Sequence, residues 1–202
     1  MNANSLFLDL IERPSSTVMD MVLLEVDYWI ADLEEPWFHI ETPNDTGLSA
    51  VSLIFEDKVL EITNGWTQLR GDTSYHIQAH IVSEGRSSTE LGTSEGLLRF
   101  SAGQNTPWSS AINHRLTAVE VYGLGTSPHI IRFSFADISL VVAIGYAASE
   151  STQEPLIGDG DELLVFLDDE WYFRERTLGI GWSKLWSYAS PFRDSQTAKG
   201  DK

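Results

Sequence analysis

A stretch of twelve residues, Phe55-Glu56-Asp57-Lys58-Val59-Leu60-Glu61-Ile62-Thr63-Asn64-Gly65-Trp66, returns 80 positions later as Phe135-Ala136-Asp137-Ile138-Ser139-Leu140-Val141-Val142-Ala143-Ile144-Gly145-Tyr146. Phe, Asp, Leu, Gly and an aromatic residue recur in register. Apolar residues at alternate positions around a short polar tip describe a β-hairpin with one buried face. With Asp57-Lys58 as the tip, facing residues sum to 115, so Phe55 opposes Leu60 and Leu53 opposes Ile62. Val51, Leu53, Phe55, Leu60 and Ile62 then share an apolar face, with Ser52, Glu56, Glu61 and Thr63 on the other. The second copy pairs to a sum of 275: Phe135 with Leu140, Phe133 with Val142, Ile131 with Ile144. Gly65 permits a bulge before Trp66.

The neighbours of the two copies also match in order. Pro14-Ser15-Ser16 precedes the first and Pro107-Trp108-Ser109-Ser110 the second. Leu24-Glu25-Val26 matches Val119-Glu120-Val121, and Leu97-Leu98-Arg99-Phe100 matches Leu163-Leu164-Val165-Phe166. The offsets of 94, 95, 80 and 66 keep one order while loop lengths change. This pattern predicts a tandem duplication. A first β repeat occupies residues 1–105, a second 106–188, and a flexible tail 189–202. A unit of this size exposes sheet edges and buries little core, so the two are expected to pack as one domain. The expected fold is mainly β, a duplicated antiparallel sandwich or barrel with a pseudo-two-fold repeat and minor helix. Further strands are expected over Val22–Ile30, Trp37–Ile40, Tyr75–Val82 and Leu97–Phe100. Ser15-Ser16-Thr17 can cap a helical turn over Val18–Met21, and Ser183–Tyr188 reads as another. Phe166 to Trp171 repeats the Phe-x-Asp spacing, which allows a third hairpin.

Charge narrows the partners. The 202 residues carry 30 acidic and 13 basic side chains, a net of −17. Residues 1–105 hold 17 acidic and 5 basic, a net of −12, against −5 for the remainder. Such a field repels nucleic acid and anionic membranes and attracts a basic protein. No apolar run reaches the ~18–20 residues that span a bilayer, and Met1–Leu10 lacks the basic start of a secretory signal. With no cysteine, disulfides and thiolate chemistry are excluded and a cytoplasmic location is expected.

No residue is nominated as catalytic, cofactor-binding or metal-binding. The five histidines are His39, His76, His80, His114 and His129. His76 and His80 share a face on a strand, but zinc needs further ligands, and no His-Glu-x-x-His pattern occurs. Gly158-Asp159-Gly160-Asp161-Glu162 gathers carboxylates in a Gly-rich turn that lacks the spacing of a calcium loop. Asp57 and Asp137 read as turn residues. Gly-x-Ser-x-Gly, P-loop and Gly-x-Gly-x-x-Gly signatures are missing. Of seven tryptophans, Trp66 and Trp29 are expected in the core. Trp37, Trp108, Trp171, Trp182 and Trp186 are candidates for exposure, suited to stacking on sugars or to a protein contact.

Trp108 to Phe166, with its Val-Glu-Val strand, Phe-x-Asp hairpin and Asp161-Glu162-Leu163-Leu164-Val165-Phe166 turn and strand, resembles small uncharacterised bacterial β-rich proteins. Similar stand-alone domains are assigned as immunity proteins of bacterial toxin systems. The resemblance implies a β fold and an inhibitory binding role, and carries over no catalytic residue. Three functions are therefore carried forward: a non-enzymatic inhibitor that covers a basic protein with its acidic first repeat, a carbohydrate or small-ligand module, and an enzyme.

Overall fold

The computed structural model describes residues 17–26, 47–48, 50–69, 72–83, 97–101, 110–135, 138–146, 156–157, 160, 162–168 and 183–189. These residues form twelve strands and no α-helix. They are β1 (Val18–Val26), β2 (Gly47–Leu48), β3 (Ala50–Phe55), β4 (Lys58–Leu69), β5 (Asp72–Ser83), β6 (Leu97–Ser101), β7 (Leu116–Leu124), β8 (Ser127–Phe135), β9 (Ser139–Tyr146), β10 (Leu156–Ile157), β11 (Glu162–Asp168) and β12 (Ser183–Ala189). The fold is mainly β, as the patterning requires.

Two antiparallel sheets result. The first has the order β5-β4-β3-β1-β6, and the second β12-β7-β8-β9-β11-β2, with β10 beside β9. Taken from one edge, β6-β1-β3-β4-β5 and β12-β7-β8-β9-β11 follow the same rule: four strands in succession, and a fifth returning to lie beside the first. β6 therefore flanks β1, whereas β11 flanks β9. Leu163–Phe166 thus holds a different place in its sheet from Leu97–Phe100, with which the sequence pairs it.

Both repeated hairpins form, with a register two residues tighter than expected. Leu53 faces Leu60 and Val51 faces Ile62, while Phe133 faces Leu140 and Ile131 faces Val142. The facing sums are 113 and 273. The tip of the first hairpin is the exposed pair Glu56-Asp57, and Phe135 N–H closes the second by donating to the Ile138 carbonyl at 2.8 Å. Asp57 thus takes the second turn position of the first hairpin, where it tolerates tight backbone geometry. A shift of two residues keeps every side chain on its face, so the faces are as expected although the partners are not.

Three local expectations are corrected. Val18–Met21 is the start of β1, paired with β3, because ladder bonds and burial of Val18 outweigh a helical cap. Ser183–Tyr188 is likewise strand β12, paired with β7 and carrying Trp186 and Tyr188 half-buried against the core. Gly65 makes no bulge: the β4–β5 ladder runs without a shift from Lys58–Ser83 to Leu69–Asp72. Residues 27–30, Trp37–Ile40, the Phe166–Trp171 turn beyond Asp168 and the tail from 190 lie outside the described residues.

One apolar core is shared by both sheets. Val51, Leu53, Phe55, Leu60, Ile62 and Ile77 of the first meet Leu116, Val119, Ile131, Phe133, Leu140, Val142, Ile144, Leu163 and Val165 of the second. The halves are also joined by backbone. β2 pairs with β11 across the predicted boundary, and Val18 exchanges hydrogen bonds with His114 and Asn113 at 3.0 and 2.7 Å. Asn113 adopts a positive φ of 65°, which Asn tolerates better than most residues.

Candidate functional site

β4 and β5 are twelve residues each, longer than the β3 strand beside them, so their far end outruns the core. Trp66 sits there, opposite Tyr75. It lies on the same face as Leu60 and Ile62, yet it is 67% exposed. The sequence placed it in the core; alternation assigns its face correctly, but the hairpin has passed beyond the sheet that would cover it. On the opposite face of the same hairpin, His76 stands between Thr67 Oγ1 and Gln78 Nε2, each 3.3 Å from a ring nitrogen. Exposed Leu124 adjoins the β7–β8 turn. His129, on β8, is buried, with Nδ1 2.8 Å from the Ser127 carbonyl, and therefore carries its proton on Nδ1. Burial lowers its pKa, the Ser127 hydrogen bond opposes this, and the charge of His76 lowers it further. β5 and β8 approach each other in the fold, which places His76 within electrostatic reach of His129.

His76 and His80 do share a face, as expected for a strand. Four residues along a strand span ~13 Å, too far for one ion held at ~2 Å from each nitrogen. Among the described residues, no group of three or more metal-ligating side chains occurs. Of the Gly-Asp turn, Gly160 and Glu162 are described. Gly160 packs so closely on the Gly145 backbone that a Cβ would stand 2.1 Å from the Gly145 carbonyl oxygen, which gives this glycine a packing role. His39, Trp29, Trp37, Trp108, Trp171, Trp182 and Asp137 lie outside the described residues. Trp186 is half-buried and stacks on Tyr188 at 6.4 Å, so its ring is committed to the fold.

Two polar groupings were not apparent from the sequence. On the outer face of the first sheet, Ser52 faces Glu61 and Glu61 faces His80. Ser52 and Glu61 are buried, although period-2 patterning puts them opposite the core. Glu61 Oε1 is 3.0 Å from His80 Nε2. The row holds the three residue types of a nucleophilic triad in an order that cannot work as one. The imidazole must lie between hydroxyl and carboxylate, whereas here Glu61 is central and His80 is two strands, ~10 Å, from Ser52.

On the outer face of the second sheet, Glu120 accepts hydrogen bonds from Arg132 at 3.1 Å and from Lys184, whose ammonium also stands 5.5 Å from the centre of the Tyr122 ring. Burial alone would raise the Glu120 pKa, but the two cations outweigh it and hold the carboxyl below its usual range. Burial and then the charge of Glu120 raise the Tyr122 pKa. The cluster ties β12 to β7 and β8. Cross-strand register was the signal that could have revealed both groupings, since Ser52–Glu61, Glu61–His80 and Glu120–Arg132 are direct cross-strand pairs, while Lys184 stands opposite Tyr122 and reaches Glu120 diagonally.

Comparison of the chain with models of known families, with curated proteins and with solved structures finds no match.

Proposed function

We propose that the protein is a non-enzymatic binding protein that covers a basic protein, in the manner of an immunity-type inhibitor, with Trp66 at the centre of the contact. The observation that carries this reading is the 67% exposure of Trp66 on a regular strand in the half of net charge −12. A large aromatic on a rigid strand offers contact area at little conformational cost, which is why tryptophan dominates protein hot spots. The acidic field supplies attraction and speeds encounter with a basic surface. A cytoplasmic location suits the cysteine-free sequence. For architecture we infer a tandem-duplicated β-sandwich, supported by the matching strand order of the two sheets and the matching ladder register of the two hairpins.

Affinity capture at low and high salt, followed by identification of the bound protein and titration with purified partner, tests the reading. A basic partner is expected whose affinity falls with salt and falls about 30-fold or more in Trp66→Ala. A neutral partner, or one indifferent to Trp66, counts against it. The pairing of Trp66 with Tyr75 favours a second reading: a carbohydrate-binding module that stacks a sugar ring on the two aromatics. A glycan array separates the two, since sugar binding is salt-insensitive and equally dependent on Trp66.

A further inference from the structure

Among the described residues the two sheets end on four edge strands, and three of these are short or interrupted. β2 is two residues long and β6 five, while β12 carries Lys184 and a bulge before Trp186. Shortness, charge and bulges are the usual protections of an edge against pairing with another chain. β5 has none of them. It runs for twelve residues, keeps one register against β4 from end to end, and among the described residues is laddered on that side alone. Thr73 to Ser83 contains no Asp, Glu, Lys, Arg, Pro or Gly, although the whole chain has a net charge of −17. Its core-side residues Tyr75, Ala79 and Ile81 are only partly buried, so the apolar row continues to the open edge.

We propose that β5 pairs with β5 of a second copy of this chain, antiparallel about a two-fold axis at Gln78, so that two chains share one continuous sheet. The strand's own symmetry argues for a second copy. With facing residues summing to 156, Gln78 meets the partner's Gln78 and His76 meets the partner's His80 on the outer face. On the core face, Tyr75 meets the partner's Ile81 and Ile77 meets the partner's Ala79. Apolar residues thus face apolar ones and polar face polar, the self-complementarity that a two-fold interface requires. The neighbouring register, summing to 154, would set charged Asp72 opposite Val82 of the partner subunit. Pairing also satisfies the outward backbone N–H and C=O groups of both edges. A strand free of charge is where two acidic molecules repel each other least at contact. Trp66 lies on β4, one strand in from the edge and ~10 Å from the added strand, so the two surfaces are separate.

Sedimentation velocity of the whole protein, over a concentration series at low and at high salt, tests the proposal. A monomer–dimer equilibrium is expected that shifts towards dimer as salt rises, because screening weakens the repulsion between two acidic chains. The complex with a basic protein weakens under the same change, so the two readings fail separately. Since the chain has no cysteine, Gln78→Cys places a single thiol opposite its own copy, with ~4.5–5.5 Å between Cα atoms, within reach of a disulfide. Mild oxidation should convert this variant to a covalent dimer, whereas Asp57→Cys, at the exposed tip of the β3–β4 hairpin, should cross-link far more slowly. Gln78→Glu sets two carboxylates against each other and should weaken the dimer about two- to fivefold, and mixing it with Gln78→Lys should restore pairing. A protein that stays monomeric at every salt and concentration, a dimer indifferent to Gln78→Glu, or cross-linking through Asp57→Cys as fast as through Gln78→Cys would overturn it.

Discussion

Glu120 and His129 both make the fold sensitive to acid, in different pH ranges. Against burial, which would raise it, Lys184 and Arg132 hold the Glu120 carboxyl below its ordinary value of about 4.5. Its stabilising contribution is complete above the unfolded value and is lost as pH falls through the lower folded value. His129 is held below 6.5, chiefly by burial. The unfolded chain therefore takes up its proton first, and stability falls from about pH 6.5 downward until the folded His129 also protonates. Denaturant melts across pH should show two steps, with His129→Gln flattening the upper and Glu120→Gln the lower. At pH 7, Glu120→Gln should cost about 1–2 kcal/mol, most of it through Arg132, because Lys184 is half exposed and its pairing is screened. A loss of stability that rises smoothly through the whole range in both variants would contradict this assignment. The residue scale was also where the sequence misled. Trp66 has the parity of a core residue, but parity says nothing about how far along a strand the opposite sheet extends.

Among the elements, the repeated hairpins were legible because they satisfy alternation, turn chemistry and cross-strand matching together. Their exact partners were not, since registers differing by two bury the same side chains and only the turn decides between them. β12 was misread because Trp182, Leu185 and Trp186 are spaced for either a helix or a bulged strand. The bulge between Lys184 and Trp186 lets adjacent Leu185 and Trp186 both pack on the core. Glycines that pack against a strand make the element scale testable. At Gly160 a Cβ would meet backbone of β9, which cannot step aside, so Gly160→Ala should destabilise by about 1–3 kcal/mol. At Gly65 the nearest atoms belong to the flexible side chain of Gln78, so Gly65→Ala should cost less than about 1 kcal/mol. Chemical denaturation of the two variants measures the difference, and equal costs would remove the distinction between rigid and yielding neighbours.

For the molecule as a whole, the sequence pointed to two similar units but could not show how far they depend on each other. β2 comes from the first half and closes the edge of the second sheet against β11. The start of β1 is bonded to residues 113 and 114. Leu53 and Phe133, both fully buried, belong to one core cluster drawn from both sheets. Contacts of this kind join positions far apart in sequence and leave no periodic trace, whereas alternation within a strand does. Each sheet alone would expose the apolar face it now covers with the other, and a unit of about half this chain retains little margin once that burial is lost. Expressed separately, residues 1–105 and 106–202 should therefore show poor dispersion in NMR spectra and no cooperative melting. Mixed together they should regain both, because the missing surface is supplied in trans. Independent cooperative folding of either fragment would mean that the two halves are autonomous domains, and that β2 and the Val18 contacts are dispensable additions to them.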